Sequence, residues 1–243
     1  MRCMISQPTF LPWLGWFDLA DQADLLILLD TVQFDKRSWQ QRNRIRTAKG
    51  LEYVSVPVKS AGRFDQVIAD VELADPAFGT RLLRTLRANY ARAPHFAPVM
   101  AELETALPGL VATGSLAALN EGLIRLLAGW LGIDTPIRRA SAIGAGGTRG
   151  EHLALLCKAV GASDYLSTAG AEEYLREDAA HFARRGITVH LHEYDHPEYT
   201  QLHAPFLPYA CALDLVMMEG RGAGAVMRRA TRRLRPLETG GNA

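Results

Sequence analysis

Cysteine is scarce in this chain of 243 residues: three occur, far apart. Three widely spaced thiols build neither a disulfide framework nor a zinc ligand set, and Cys3 and Cys157 sit among apolar neighbours as core residues do. Long apolar runs are missing as well. None approaches the roughly eighteen residues that a membrane-spanning helix needs. The first residues show no cationic start, apolar stretch and small-residue cleavage site. A cytoplasmic protein with no membrane partner is the expectation. Charge of one sign is also lacking, since 27 Lys and Arg face 26 Asp and Glu for a formal net charge of +1. So small a net charge steers no polyanion, and nucleic acid is not an expected partner.

What remains is an ordinary soluble composition, 48% apolar and 22% charged, in a chain long enough for one sizeable core or a core plus a lobe. Cys3–Ile5 and Leu25–Leu29 are short aliphatic runs ending at polar residues, the pattern of strands covered on both faces. A helix is expected over Pro12–Gln22, with Leu14 and Phe17 three apart. Tyr53–Val58 reads as a strand with Gln66–Leu73 as a pairing partner. From Pro76 the period changes to that of helices, and the clearest has Ser115 as N-cap and Gly132 at its end. Ile137–Ile143 reads as a strand, and Glu151–Val160 and Ala171–Ala183 as helices. Ile187–His192 reads as a strand, and Tyr209–Glu219 and Ala223–Arg233 as helices. Strands and helices alternating at both ends predict an α/β fold, a mainly parallel sheet with flanking helices and a helical insert. The expected division is a core of residues 1–75 and 133–243 and a helical insert or lobe of 76–132. Glu238–Ala243 reads as a frayed tail.

Chemistry-bearing residues crowd the first forty-five positions. Gln7, Trp13 and Trp16 precede the Leu25–Leu29 run, and Trp39, Arg42, Asn43 and Arg44 follow it. Packing alone does not call for that density, so a binding site is expected there. Arginine forks suit phosphate or carboxylate, and a small anionic ligand fits so short a cationic stretch better than a nucleic acid does. Late in the chain, Tyr194–Gln201 is a polar, aromatic loop after a strand, where α/β sheets place ligands. His196 there is a candidate general base, oriented by Asp195 or Glu198, against the plain reading of a surface loop. Asp30 and Asp214 interrupt apolar segments and need partners; Arg42 and Arg44 are candidates, with structural anchoring favoured over ligand binding. His190 and His192 share a strand face, yet no second pair of soft ligands accompanies them, so no metal is expected. Gly144–Thr148 lies where a phosphate loop would lie but lacks its Lys-Ser/Thr pair, which favours a connector. The arginines of 228–235 read as a solvated helix face.

Taken together, Gln7-Pro8-x-Phe10-x-Pro12-x-x-Gly15-Trp16-Phe17, Ala23–Asp30 and Trp39-x-x-Arg42-Asn43-Arg44-Ile45 resemble the motifs of the WbqC-like family. Leu155–Gly161, Tyr165-Leu166-Ser167, Tyr174-Leu175, Tyr199-x-Gln201, Phe206-x-Pro208 and Leu213-Asp214-Leu215 extend the resemblance over most of the chain. One departure is Cys211, where members usually carry Ser; a thiol there is a nucleophile or an isosteric filler, and filler is the expectation. The resemblance implies an acyl or aminoacyl transferase that forms an amide on a small amine acceptor, an amino sugar or natural-product intermediate. The implied donor is an acyl carrier protein thioester, and no cofactor is called for. On that reading the catalytic candidates are His196, Asp30 and Cys211. The substrate-binding candidates are Gln7, Trp13, Trp16, Trp39, Arg42, Asn43, Arg44, Tyr199, Gln201 and Asp214. Two alternatives stand beside it. The β-strand, Pro and P-x-x-G turn echo the HxGH turn of nucleotidyltransferases without its two His, and a non-catalytic sugar-nucleotide or carrier-protein binding module is the other. All readings need the two ends of the chain to meet at one cleft.

Overall fold

Aliphatic side chains on both faces of a strand must be covered on both faces, which forces helices onto each side of a parallel sheet. The computed structural model describes residues 1–238, and apart from Glu238 the expectation for the tail lies outside them. Its strands are β1 (Arg2–Ser6), β2 (Leu25–Leu28), β3 (Arg42–Thr47), β4 (Gly50–Ser55), β5 (Ile137–Arg139), β6 (Asp164–Thr168), β7 (Thr188–Tyr194) and β8 (Arg232–Pro236). Six form one sheet in the order β5-β2-β1-β6-β7-β8, parallel except for the antiparallel edge strand β8. The other two, β3 and β4, form a separate hairpin.

The helices are α1 (Leu14–Asp21), α2 (Phe78–Tyr90), α3 (Phe96–Ala112), α4 (Leu116–Leu131), α5 (Ala140–Ile143), α6 (Arg149–Ala159), α7 (Glu172–Glu177), α8 (Ala179–Ala183), α9 (Ala212–Glu219) and α10 (Ala223–Arg228). None among the described residues is long and apolar enough to cross a membrane. Alternation along β1 sends Met4 to a core shared with Leu14 and Phe17 of α1. Cys3 and Ile5 face the opposite core, with Leu156 of α6 and Phe182 of α8. The strand order reverses at β1: α1 leads to β2 on one side, and α6 leads to β6 on the other. Right-handed crossovers then put these helices on opposite faces and leave a crevice at the carboxyl ends of β1 and β6.

The 76–132 stretch is helical and is inserted between the hairpin and β5. Ser115 caps α4 by accepting from the Ala118 N–H at 3.3 Å, and Gly132 ends it at φ 64°. Leu123 and Leu127 belong to the same core as Met4 and α1, so the insert shares the sheet's core.

Four element expectations fail for identifiable reasons. Ile137–Ile143 is a strand only to Arg139, because the Asp30 carboxylate accepts from Ser141 N (2.9 Å) and Oγ (2.6 Å) and draws the chain into α5. Ala171–Ala183 breaks at Asp178, whose carboxylate turns away to the Gly150 N–H at 3.0 Å. Gln66–Leu73 meets Tyr53–Val58 only at a Val58–Leu73 bridge and otherwise forms a 3-10 turn at Ile68–Asp70. The 228–235 arginines are not one helix face. Arg228 pairs with Asp21, Arg232 with Asp18, and Arg235 with Glu172 and Glu193, which fastens β8 along β7.

Candidate functional site

A cavity of about 580 Å³ occupies the crevice between β1 and β6. Ser6 reaches it from the end of β1 and Gln7 from the turn after it, Ser167 and Thr168 from β6, and Trp39 and Arg44 from the hairpin side. The Gln7–Trp13 turn that walls it is held by amide side chains, of which Asn43 also lines the cavity and Asn120 and Gln40 stand behind it. Asn43 donates to the carbonyls of Phe10 (3.1 Å) and Leu11 (2.8 Å), securing Leu11 in the left-handed region at φ 43°. Asn120 donates to Pro8 O at 2.7 Å, and Gln40 donates to Gln7 Oε1 at 2.6 Å. With its oxygen engaged, Gln7 has amide hydrogens left for a ligand. Gly15 has a steric role here: a Cβ would sit 2.2 Å from Trp13 Cη2, so only glycine lets that indole lie across the start of α1. Trp16 is anchored by Nε1 donating to Ser6 Oγ at 2.8 Å.

Arg44 is the one basic side chain lining the cavity among the described residues. Its Nη2 makes a long 3.4 Å contact to Tyr209 O, its Nε is buried with no partner, and its Cζ lies 5.7 Å from the centre of the Trp39 ring. A guanidinium so loosely held beside a half-exposed indole is poised for an anion with a flat or apolar neighbour. Arg42 instead lies 4.3 Å over Tyr53 and is not among the lining residues. Trp13 and Tyr209 form a second aromatic wall, their rings 5.5 Å apart.

The two ends of the chain do meet. Cys211 N donates to Arg44 O at 2.8 Å, Trp13 bridges Cys211, and the Trp13 ring stacks on His196 at 6.3 Å. The late residues, however, stand behind the wall. His196 does not line the cavity: its Nδ1 lies 3.0 Å from Pro197 O, no carboxylate orients it, and burial lowers its basicity. Tyr199 and Gln201 both donate to Asp214 Oδ2, at 2.7 and 3.0 Å, while Gln201 also brackets Leu207. Asp214 takes a third donor, Tyr90 Oη, at 2.8 Å on Oδ1, and burial raises its carboxyl. Its partners are thus phenols and an amide, not Arg42 or Arg44. Asp30 is spent on Ser141. Cys211 is fully enclosed and burial pushes its thiol up to about 12, which leaves no thiolate at neutral pH. In this geometry Asp30, Asn43, Tyr199, Gln201 and Asp214 hold loops in place.

Elsewhere, His190 pairs with Asp164 and buried His192 with Asp18, each at 2.8 Å. No group of three metal-binding side chains exists among the described residues. At the end of the Gly144–Thr148 loop, Asp178 already accepts from the α6 N–H of Gly150, where a phosphate would go. Sequence reading overlooked Ser6, Ser167, Thr168, Tyr174 and Tyr209 as cavity residues. The available signal was polar residues at the carboxyl ends of two parallel strands, the usual ligand position in such sheets.

No solved structure matches this chain. It is 33% identical over 228 residues to the Mycobacterium tuberculosis protein named Uncharacterized protein Rv1507c, an alignment covering 93% of this chain and 97% of that one. The WbqC-like protein family matches residues 7–225, from the Gln7 turn through α9 into α10. With the Trp-x-x-Arg-Asn-Arg-Ile hairpin and the Gln-Pro turn shaping one cavity, the chain belongs to the WbqC-like protein family.

Proposed function

We propose that the cavity joins a small anionic acyl or aminoacyl donor, presented as a carrier-protein thioester, to an amine acceptor. The observation that carries this reading is Arg44, a guanidinium with no carboxylate partner among the described residues, at the cavity wall between Trp39 and Tyr209. It suits a phosphate or carboxylate next to an apolar group. In the reaction the amine nitrogen attacks the thioester carbonyl, the C–N bond forms, the thiolate leaves with the C–S electron pair, and the amine gives up one proton that ends on the thiol. Gln7 and the Ser167 and Thr168 hydroxyls supply donors for the developing oxyanion. Enclosure of the Cys211 thiol favours direct transfer over a covalent acyl-enzyme.

The test is turnover of phosphopantetheine aminoacyl thioesters against a panel of amines, with amide product measured by mass spectrometry. Arg44→Gln is expected to lower kcat/KM at least about tenfold, and Cys211→Ala to retain turnover. An acyl adduct on Cys211, or indifference to Arg44→Gln, refutes the reading. One observation favours a nucleotide ligand as a second reading: the strand order reverses where the β1–α1 turn walls the cavity, the position at which doubly wound sheets bind nucleotides. Competition by nucleoside phosphates for the Arg44 site separates the two.

A further inference from the structure

We propose that His196 is the proton acceptor of this cavity, kept behind an aromatic gate that opens when the Tyr209 side chain swings aside. The inference rests on the transfer reading above for its chemistry, but not for its geometry. Nδ1 of His196, 3.0 Å from Pro197 O, must carry the proton, since a carbonyl only accepts. That leaves Nε2 as a bare acceptor. It is buried with no hydrogen-bond partner among the described residues, a state that costs about 1–3 kcal/mol and calls for a reason.

Five aromatic rings surround the imidazole: Trp13 at 6.3 Å, Tyr194 at 6.3 Å, Tyr199 at 6.1 Å, Phe206 at 5.6 Å and Tyr209 at 5.7 Å between centroids. Only Trp13 and Tyr209 among these also line the cavity, so they are the partition between imidazole and cavity. Trp13 is fixed. Its indole is seated on Gly15, its carbonyl takes the Trp16 and Phe17 N–H groups, and its backbone bridges Cys211. Tyr209 is free by comparison. It lies in an irregular segment at φ 68°, is half exposed, and its hydroxyl makes no hydrogen bond among the described residues. Turning that ring outward therefore breaks nothing polar.

The gate is also wired to the ligand. Arg44 Nη2 touches Tyr209 O, so an anion that draws the guanidinium away loosens the residue that covers His196. Once exposed, the neutral Nε2 takes one proton from the attacking amine as the C–N bond forms, and the imidazolium returns it to the departing thiolate or to water. The groups facing the ring are the phenols of Tyr194, Tyr199 and Tyr209, with Asp214 of α9 beyond Tyr199. Asp195 and Glu198 flank it in the chain without bonding to it. Nothing in this shell holds the imidazole protonated, and burial favours the neutral base.

The experiment is diethyl pyrocarbonate modification mapped by peptide mass. His196 in the wild-type protein should react at least about tenfold more slowly than in Tyr209→Ala, and inorganic phosphate should speed the wild type but not Arg44→Gln. Equal rates in wild type and Tyr209→Ala, or no phosphate effect, overturn the gate whether or not any thioester is turned over. In the turnover assay, His196→Asn keeps a donor for Pro197 O and removes the base. It should lower kcat by about 10²–10⁴ with KM little changed, and remove the acid limb of the kcat–pH profile. An unchanged kcat and profile overturn the catalytic role while leaving the donor and acceptor assignment to its own test.

Discussion

Replacing Tyr90 by Phe should destabilise the protein markedly more than replacing Tyr199 by Phe, although both phenols donate to the same carboxylate. Three donors and no acceptor surround Asp214, the environment of an ionised carboxylate. Losing one hydrogen bond to such a group costs about 1.5–3 kcal/mol. In Tyr199→Phe that is the whole loss, because Gln201 remains on Oδ2 at 3.0 Å. Tyr90 has a second duty, accepting from the Arg46 backbone N–H at 2.9 Å in β3. Tyr90→Phe strands that buried donor as well, adding about 1–3 kcal/mol for a total of about 2.5–6 kcal/mol. Urea denaturation of both variants and of the double variant measures the difference and the coupling through the shared carboxylate. If Tyr90→Phe costs no more than Tyr199→Phe, the hairpin is not tied to α9 through this network and the anchoring role of Asp214 is wrong. If both variants instead keep full stability and lose ligand binding, Asp214 belongs to the site.

Gly15→Ala puts a methyl group into the space of the Trp13 ring. Helix propensity gains up to about 1 kcal/mol, so stability should change little while the near-ultraviolet circular dichroism of the aromatic wall collapses; an unchanged spectrum refutes the seating of Trp13. A pH dependence follows from His196. Its folded-state basicity lies below the ordinary value of 6.5, so below that pH the unfolded chain binds more protons than the folded one. Stability should therefore fall as pH drops from 7 toward 5, with a shallower fall in His196→Asn; parallel slopes in the two proteins contradict the burial of the ring.

Legibility followed the range of the forces involved. β1, β2 and α4 could be read because their signals are local: doubly apolar runs, and a Ser cap paired with a terminal Gly. β8 could not, because three arginines in five residues look like a solvated face until Asp18, Glu172 and Glu193 arrive from other elements. The hairpin strand β3 was half visible. Its Arg-Asn-Arg-Ile alternation buries Asn43 and Ile45 and leaves Arg42 and Arg44 partly exposed, a period of two masked by the polarity of three of the four side chains.

The same reasoning explains which candidate residues changed role. Asn43, Gln201 and Asp214 are rare polar groups in apolar company, and sequence alone makes each look reserved for a ligand. A buried amide or carboxylate is more often needed to satisfy backbone groups that loops cannot pair among themselves. Here the Gln7–Trp13 turn and the Tyr199–Tyr209 segment lack ladder partners, and Asn43, Asn120 and Gln201 supply them. Residues free to act on a ligand are then those whose polar atoms remain unspent, among them Arg44 at its guanidinium, Gln7 at its amide nitrogen, and His196 at Nε2. The first two face the cavity and the third is one aromatic ring away from it. Unspent hydrogen-bonding capacity locates the chemistry of this fold better than polarity does, because Asn43, Asn120, Gln201 and Asp214 are already holding the scaffold that keeps these three in position.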